Sequence, residues 1–373
     1  MTAADHGGDA YRAAGIDYDA LDAGKRLALA QALATSGLLE ARGGHALDAS
    51  RGEPAFVLEF AGRHLAVVLE GLGTKSMIAR QVADEGGEQR FADVAYDAVA
   101  AIVNDLCCVG ALPLVVNAYF ATGSSAWYAQ HARHAALLAG WRRACEDAGA
   151  TWGGGESPSL PGLVAEAEIE LAGSAVGVVP EGAAPLLAQA LAPGDEIVLV
   201  ASSGLHANGA SLARRLAGRL PDGYRTELPS GRAFGTALLD PSIIYVRLVA
   251  ELLAEAVPVH YLSHITGHGL LKLMRPDRQL TYVIDALPPV PEVLAFMAEQ
   301  AGMGAAEAYR TLNMGSGFAV YCAAGAGERV VAVARGLGLD ALVAGRAIEG
   351  PRRVELRPIG VVYASGELDL TPG

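Results

Sequence analysis

The chain has little of what marks several common protein classes. Among its 373 residues there are four cysteines, Cys107, Cys108, Cys145 and Cys322, and none forms a C-x-x-C pair. Zinc-ribbon and thioredoxin chemistry are therefore disfavoured, and the thiols read as buried and reduced in a cytosolic protein. Positive charge is scarce. The formal net charge of −13 argues against free nucleic acid and anionic membrane as partners. No uninterrupted apolar run reaches membrane-spanning length. The start, Met1 to His6, lacks a basic segment followed by an apolar one, so no signal peptide and a cytoplasmic location are expected. Aromatic residues make up only 6%, whereas there are 46 glycines. That balance suits a protein of mixed helices and strands with many strand–turn–helix junctions. The length predicts about two domains, each large enough for its own core.

What is there centres on Glu70-Gly71-Leu72-Gly73-Thr74-Lys75-Ser76, which follows the strand-like run His64–Leu69. The glycines let the backbone approach an anion, and exposed N–H groups with a lysine supply positive potential. The acid can hold Mg²⁺, which takes oxygen ligands. A small anionic substrate therefore remains compatible with the acidic chain. The motif is neither a Walker A loop nor a complete G-x-G-x-x-G. Taken alone it also reads as a tight turn with a solvated lysine.

In chain order, residues 21–41 predict an amphipathic helix stopped at Gly43-Gly44, followed by strands over 55–60 and 64–69. A long helical pattern covers about 91–109. On it Asp97 and Asn104 are seven residues apart and share a face. Asn104 and Asp105 sit inside its apolar run, and buried acids are normally paired or bind metal. A strand is expected over 113–122 and a helix over 127–147. Thr151 to Ser157 contains three consecutive glycines and Glu156, and reads either as a turn whose backbone packs against a ligand or another strand, or as a glycine-rich hairpin. A further strand spans 169–179, and the composition shifts at Pro180–Gly194. The expected domains are therefore 1–182 and 183–373. The second opens with a strand at 196–200 that runs into Ser202–Gly209, a Gly/Ser turn before a helix. That geometry suits an anion, and it carries His206 and Asn208. Helices are expected over 242–255 and 291–301, and a strand over 318–322.

In this order the motifs resemble the phosphoribosylformylglycinamidine cyclo-ligase (AIR synthetase) family. Tyr11–Asp17 is similar to the family's Y-K-x-A-G-V-D, and Gly71–Lys75 to G-V-G-T-K. Val103-Asn104-Asp105 matches V-N-D, and Gly154-Gly155-Glu156 matches G-G-E. Ser202–Gly209 is similar to S-S-G-x-H-S-N-G, with alanine at 207. His264–Gly267 matches H-I-T-G, and Tyr309–Gly317 resembles Y-R-T-F-N-M-G-x-G. The resemblance implies a two-domain α+β, PurM-like fold. Its N-terminal strands would join a second copy's in a barrel across a homodimer. It implies ATP-dependent ring closure of a phosphorylated ribonucleotide, formylglycinamidine ribonucleotide, with ATP and Mg²⁺ as cofactors. Glu70, Asp105 and Glu156 would hold metal. Gly71, Gly73, Thr74, Lys75, Asn104, Gly154 and Gly155 would meet the nucleotide. Lys75, His206, Asn208 and Asp105 would act in catalysis, with His206 near neutral pKa able to move the ring-closure proton.

The chain departs from the family pattern at three places. Leu69-Glu70-Gly71 stands for T-D-G, the glycine- and phenylalanine-rich loop is reduced to Gly43-Gly44-His45, and His268 replaces a glycine. The departures mark a divergent subgroup. They leave open another ATP-dependent kinase or ligase of the same superfamily, or a nucleotide-binding paralogue without catalysis.

Overall fold

The computed structural model describes residues 18–87 and 89–368. The Tyr11–Asp17 match lies outside them. Helix α1 (Tyr18–Leu33) is followed by a separate 3₁₀ turn at Ser36–Arg42, where a single helix over 21–41 was expected. Gly43 ends the turn at φ +77, the left-handed conformation glycine tolerates.

Six strands build the first sheet. They are β1 (Gly44–Ala46), β2 (Phe56–Phe60), β3 (Arg63–Gly71), β4 (Leu112–Thr122), β5 (Thr151–Glu156) and β6 (Ile169–Val178). Their order is β1-β2-β3-β6-β4-β5, antiparallel except for the parallel β4–β5 pair. A two-residue turn at Ala61-Gly62, both at positive φ, closes the β2–β3 hairpin, as the twist of paired strands favours. Pleating then sorts β3. Ala66 and Val68 are buried, whereas Val67 and Leu69 are exposed on the outer face.

The inner face is covered by helices. α2 (Lys75–Asp84) starts directly from the glycine motif. The sequence pattern predicts no helix here, because Lys75 and Ser76 share the buried face with Ile78, Ala79 and Val82 and break its apolar stripe. α3 (Phe91–Cys107) and α4 (His131–Ala148) pack side by side across the sheet. Their closest approach is at Gly140, where a Cβ would lie 1.9 Å from the Ala92 carbonyl oxygen. The Gly153–Gly155 stretch is the edge strand β5, not a turn or hairpin. Its glycines have a packing reason, since a Cβ on Gly155 would lie 2.0 Å from the Ala118 carbonyl oxygen of β4.

The second sheet comprises β7 (Glu196–Ala201), β8 (Val259–His264), β9 (Leu280–Ile284), β10 (Ser316–Cys322), β11 (Ala341–Glu349), β12 (Arg353–Leu356) and β13 (Val361–Ala364). The order is β13-β12-β9-β11-β7-β10-β8. Strands β9 and β10 are buried along their whole length. Around the sheet run α5 (Ala210–Ala217), α6 (Phe234–Leu238), α7 (Val246–Ala254), α8 (Glu292–Gln300), α9 (Ala305–Thr311) and α10 (Gly327–Gly336). The protein thus has a two-domain α+β fold. Among the described residues no helix is long and apolar enough to cross a membrane.

The α3–α4 contact gives a stability test. Gly140→Ala should destabilise the protein by about 1–3 kcal/mol, despite alanine's better helix propensity, because the Cβ has no room. Urea denaturation checks this, and unchanged stability would mean the helices separate more easily than the packing shows.

Candidate active site

The glycine motif leaves β3 and enters α2, so it lies where the first domain meets the second. Gly71 and Gly73 are exposed, and Gly73 has φ +70. The Thr74 hydroxyl is 3.0 Å from that of Ser211, beside the start of α5. Glu170, which the motif search missed, accepts a hydrogen bond from the Gly73 N–H, and burial raises its pKa.

Lys75 was expected to meet phosphates. Its ammonium instead lies 2.6 Å from Asp97 Oδ2, with both side chains fully buried. It also donates to the His206 carbonyl at 2.7 Å. The other Asp97 oxygen accepts the Ser242 N–H at 2.6 Å. One turn pair further along α3, Asn104 was expected at the nucleotide. Its amide instead donates to the Ile243 carbonyl and accepts the Tyr245 N–H, each at 2.8 Å. The shared face of Asp97 and Asn104 thus holds the second domain's 242–245 segment. Both residues are buried because these backbone groups satisfy them.

Glu70 and Asp105 do come together. The Glu70 carboxyl stands in the field of Asp105. Burial, with the Asp105 charge beside it, pushes the Glu70 pKa up to about 7. Burial also pushes Asp105 upward, but the hydrogen bond and charge of His264, with Lys272 and Arg275, outweigh it and hold the carboxyl below its ordinary value. The His264 Nδ1 to Asp105 Oδ1 distance is 2.6 Å. Burial lowers the Lys272 pKa to about 8, and its ammonium donates to the Thr266 hydroxyl. Lys272 gave no sequence signal, since it stands in an apolar run, Leu270 to Met274. His264 and Thr266 were visible in the H-I-T-G match but had been given no role.

The expected third acid does not join this pair. Glu70, Gly173, Ala118 and Gly155 are successive partners across the first sheet, so Gly155 lies three strand spacings from Glu70, about 14 Å. Glu156 follows Gly155, and pleat alternation turns it to the opposite face, beside the outward Tyr119. Gly154 and Gly155 are likewise remote from the pair. Among the described residues no group of three His, Cys, Asp or Glu side chains is placed to hold a metal ion. Oxygens of Glu70 and Asp105 nevertheless suit Mg²⁺ in kind, because that ion is commonly held by one or two carboxylates with water and phosphate oxygens.

His206 is buried at φ +58, a conformation unusual for a residue with a side chain. Its Nε2 accepts the Ser203 N–H at 3.1 Å, so in the neutral ring the hydrogen is on Nδ1, which is buried without a protein partner. Burial, then the His264 and Lys75 charges, drive its pKa well below the ordinary histidine value. A near-neutral proton carrier was expected; the site holds a neutral hydrogen-bond donor. Asn208 is exposed on the turn before α5. His268, half-buried at φ +70, takes a backbone conformation that favours the glycine it replaces.

Residues 52–179 match the family model of the AIR synthase related protein N-terminal domain, and 192–356 that of the C-terminal domain. A curated phosphoribosylformylglycinamidine cyclo-ligase from Anaeromyxobacter sp. (strain Fw109-5) is 38% identical over 281 residues, 74% of this chain and 78% of that protein. A protein of the same name from Alkaliphilus oremlandii (strain OhILAs) is 33% identical over 293 residues, 77% of this chain and 82% of its own. Among solved structures, a HypE–HypF complex aligns at TM-score 0.61 and 17% identity, covering 86% of this chain and 93% of that one. Thiamine-monophosphate kinase from Stenotrophomonas maltophilia K279a aligns at 0.59 and 21%, covering 82% and 90%. At such identities these two show a common fold.

The Lys75–Asp97 pair gives a direct test. Lys75→Met or Asp97→Asn alone should lose about 3–5 kcal/mol, because each strands a buried charge. The double variant should lose less than the two single losses combined. A denaturation cycle measures the coupling, and strict additivity would show that the two groups do not depend on each other.

Proposed function

Because this chain belongs to the AIR synthase related family, we propose that it is an ATP-dependent cyclo-ligase that closes the imidazole ring of formylglycinamidine ribonucleotide, giving aminoimidazole ribonucleotide, ADP and phosphate. The observation that carries the reading is the Glu70–Asp105 pair beside the glycine turn, in a chain 38% identical to a named cyclo-ligase. ATP phosphorylates the formamide oxygen of the substrate and so makes it a good leaving group. The substrate's own nitrogen then attacks that carbon, the C–N bond forms and phosphate departs.

The residues divide this work by their surroundings. Gly71 and Gly73 leave room for the nucleotide phosphates to approach the backbone, and Thr74, at the N-terminus of α2, offers its N–H group to them. Glu70 and Asp105 would hold Mg²⁺, which neutralises phosphate charge when bound. The unpartnered His206 Nδ1–H donates to developing negative charge on the substrate or the transferred phosphoryl group. Asn208, exposed nearby in sequence, is a second polar group for the substrate. Lys75 and Asn104 act one step back, by fixing the second domain against the first. Glu156, Gly154 and Gly155 take no part within one chain.

We further propose a homodimer. The outer face of the first sheet exposes Val67, Leu69, Leu114 and Tyr119, at 37%, 76%, 48% and 36% of their surface. A contiguous apolar face of this kind favours a protein partner, and a second copy presents the same face in two-fold symmetry.

The reaction is tested by ADP release with formylglycinamidine ribonucleotide, ATP and Mg²⁺. His206→Ala should lower turnover roughly 10²–10⁴-fold, as loss of a placed donor does. Asp105→Asn should raise the Mg²⁺ requirement and lower turnover. No substrate-dependent ADP release from the parent protein, or parent-like behaviour of both variants, would refute the assignment. For assembly, sedimentation at micromolar concentration should show a dimer and Leu69→Lys should give monomer. A monomeric parent would rule the dimer out.

A further inference from the structure

A polar cavity of about 210 Å³ lies where three segments meet: the loop between β1 and β2, the stretch joining the domains, and the loop after the 3₁₀ turn Gly269–Met274. None of the residues assigned above to nucleotide, Mg²⁺ or substrate lines it. Its wall carries three arginines, Arg51, Arg275 and Arg278, against two acids, Glu53 and Asp277. The local balance is thus positive in a chain of net charge −13. Each guanidinium is held by its own neighbours. Arg51 lies over the Phe56 ring, 4.1 Å from its centroid, and donates from Nη2 to the Ser36 hydroxyl at 3.0 Å. Arg275 donates from Nε and Nη2 to the Gly52 carbonyl at 3.1 and 2.7 Å. Arg278 donates from Nη1 and Nη2 to the Ala188 and Leu191 carbonyls at 3.3 and 2.9 Å. These bonds fix the three forks without using all of their N–H groups, and Arg51 Nε is buried with no partner. Of the acids, Glu53 is occupied: it accepts the Tyr261 hydroxyl at 2.7 Å and lies 3.6 Å from Arg275 Nε. Asp277 is exposed.

We propose that this cavity binds a phosphate group, either free or at the end of a small phosphorylated metabolite. A buried N–H without a partner calls for an acceptor. A tetrahedral oxyanion presents oxygens in several directions, so guanidinium groups from separate segments can share it, whereas a carboxylate presents two oxygens in one plane. At about 30 Å³ per water, the cavity has room for roughly seven waters, which leaves space for a small organic body beside the phosphate. Arg51 belongs to the first domain, Arg275 to the second, and Arg278 grips the stretch between them. An occupant therefore ties the three segments together. The site stands apart from the proposed reaction and does not rest on it.

The experiment titrates the intact protein, free of nucleotide and Mg²⁺, with inorganic phosphate and with ribose 5-phosphate by calorimetry at fixed ionic strength. Thermal unfolding is followed in parallel. Both probes should bind and raise the unfolding midpoint, and acetate should do neither. Arg51→Gln should weaken binding at least about tenfold, because it removes charge-assisted donors, and Arg278→Gln should do the same. Ala49 is exposed and lines the cavity. Ala49→Glu keeps every arginine and sets a carboxylate at the rim, so it should also weaken binding, and it serves if the arginine variants do not fold. Tighter binding of ribose 5-phosphate than of phosphate would assign the cavity to a phosphorylated metabolite, and equal affinities would assign it to phosphate itself. No binding of either probe to the parent would overturn the proposal. So would parent-like affinity in all three variants, which would put the anion at another place such as the glycine turn, or equal binding of acetate. Turnover enters none of these readings, so failure of the cyclo-ligase assay and failure of this proposal are told apart.

Discussion

A lysine ammonium with no exposure to water must keep its counter-charge and its hydrogen bonds, and Lys75 finds them in both domains. Asp97 on α3 supplies the charge, and the His206 carbonyl supplies an acceptor from the second domain. The same carboxylate holds Ser242, and Asn104 two turns along holds Ile243 and Tyr245. One face of α3 therefore sets where the second domain sits. The site depends on that setting, because Glu70 and Asp105 come from the first domain while His206, His264 and Lys272 come from the second. Separation by a few ångströms would leave several buried polar groups without partners.

The site separates unlike chemical roles by environment. Glu70 and Asp105 are both carboxyls, yet one pKa is pushed up to about 7 and the other held low. The difference lies in His264, which is bonded to Asp105. His206 is kept neutral by burial and by two positive neighbours. A neutral imidazole offers a directional donor and has no charge to be solvated. Its unusual backbone conformation is held by neighbours on three sides: Ser203 at the ring, Lys75 at the carbonyl and Gly317 against the ring edge. Strain maintained in this way recurs at functional sites.

Much of the fold was legible in the chain. Apolar runs marked β2, β3, β4 and β6, and Gly43-Gly44 marked where the first helical stretch stops. Where reading failed, a local signal was weak or ambiguous. The apolar stripe of helix α2 is broken because its first turn buries Lys75 and Ser76. Strand β5 reads as a turn because glycines punctuate it, and of the two close approaches open to them, to a ligand or to another strand, the sheet shows the strand. Lys272 had no role in the sequence because nothing in Leu270–Met274 shows that Thr266 will accept its ammonium inside the fold.

The sequence by itself determined where the candidate groups stand along the chain: the acids, the glycine turn, the histidine on a Gly/Ser turn, and a polar pair on one face of α3 that had to find partners. These follow from local geometry, from residue type and from spacings of seven or fewer. The tertiary structure alone decided what surrounds each one. Strand register sent Glu156 to the far face of the sheet from Glu70. Domain docking closed Lys75 and Asn104 away from solvent. Burial fixed the protonation of His206, and the fold brought His264 to Asp105. Each of these depends on contacts between distant parts of the chain, and a side chain's charge and reach take their meaning from what surrounds them.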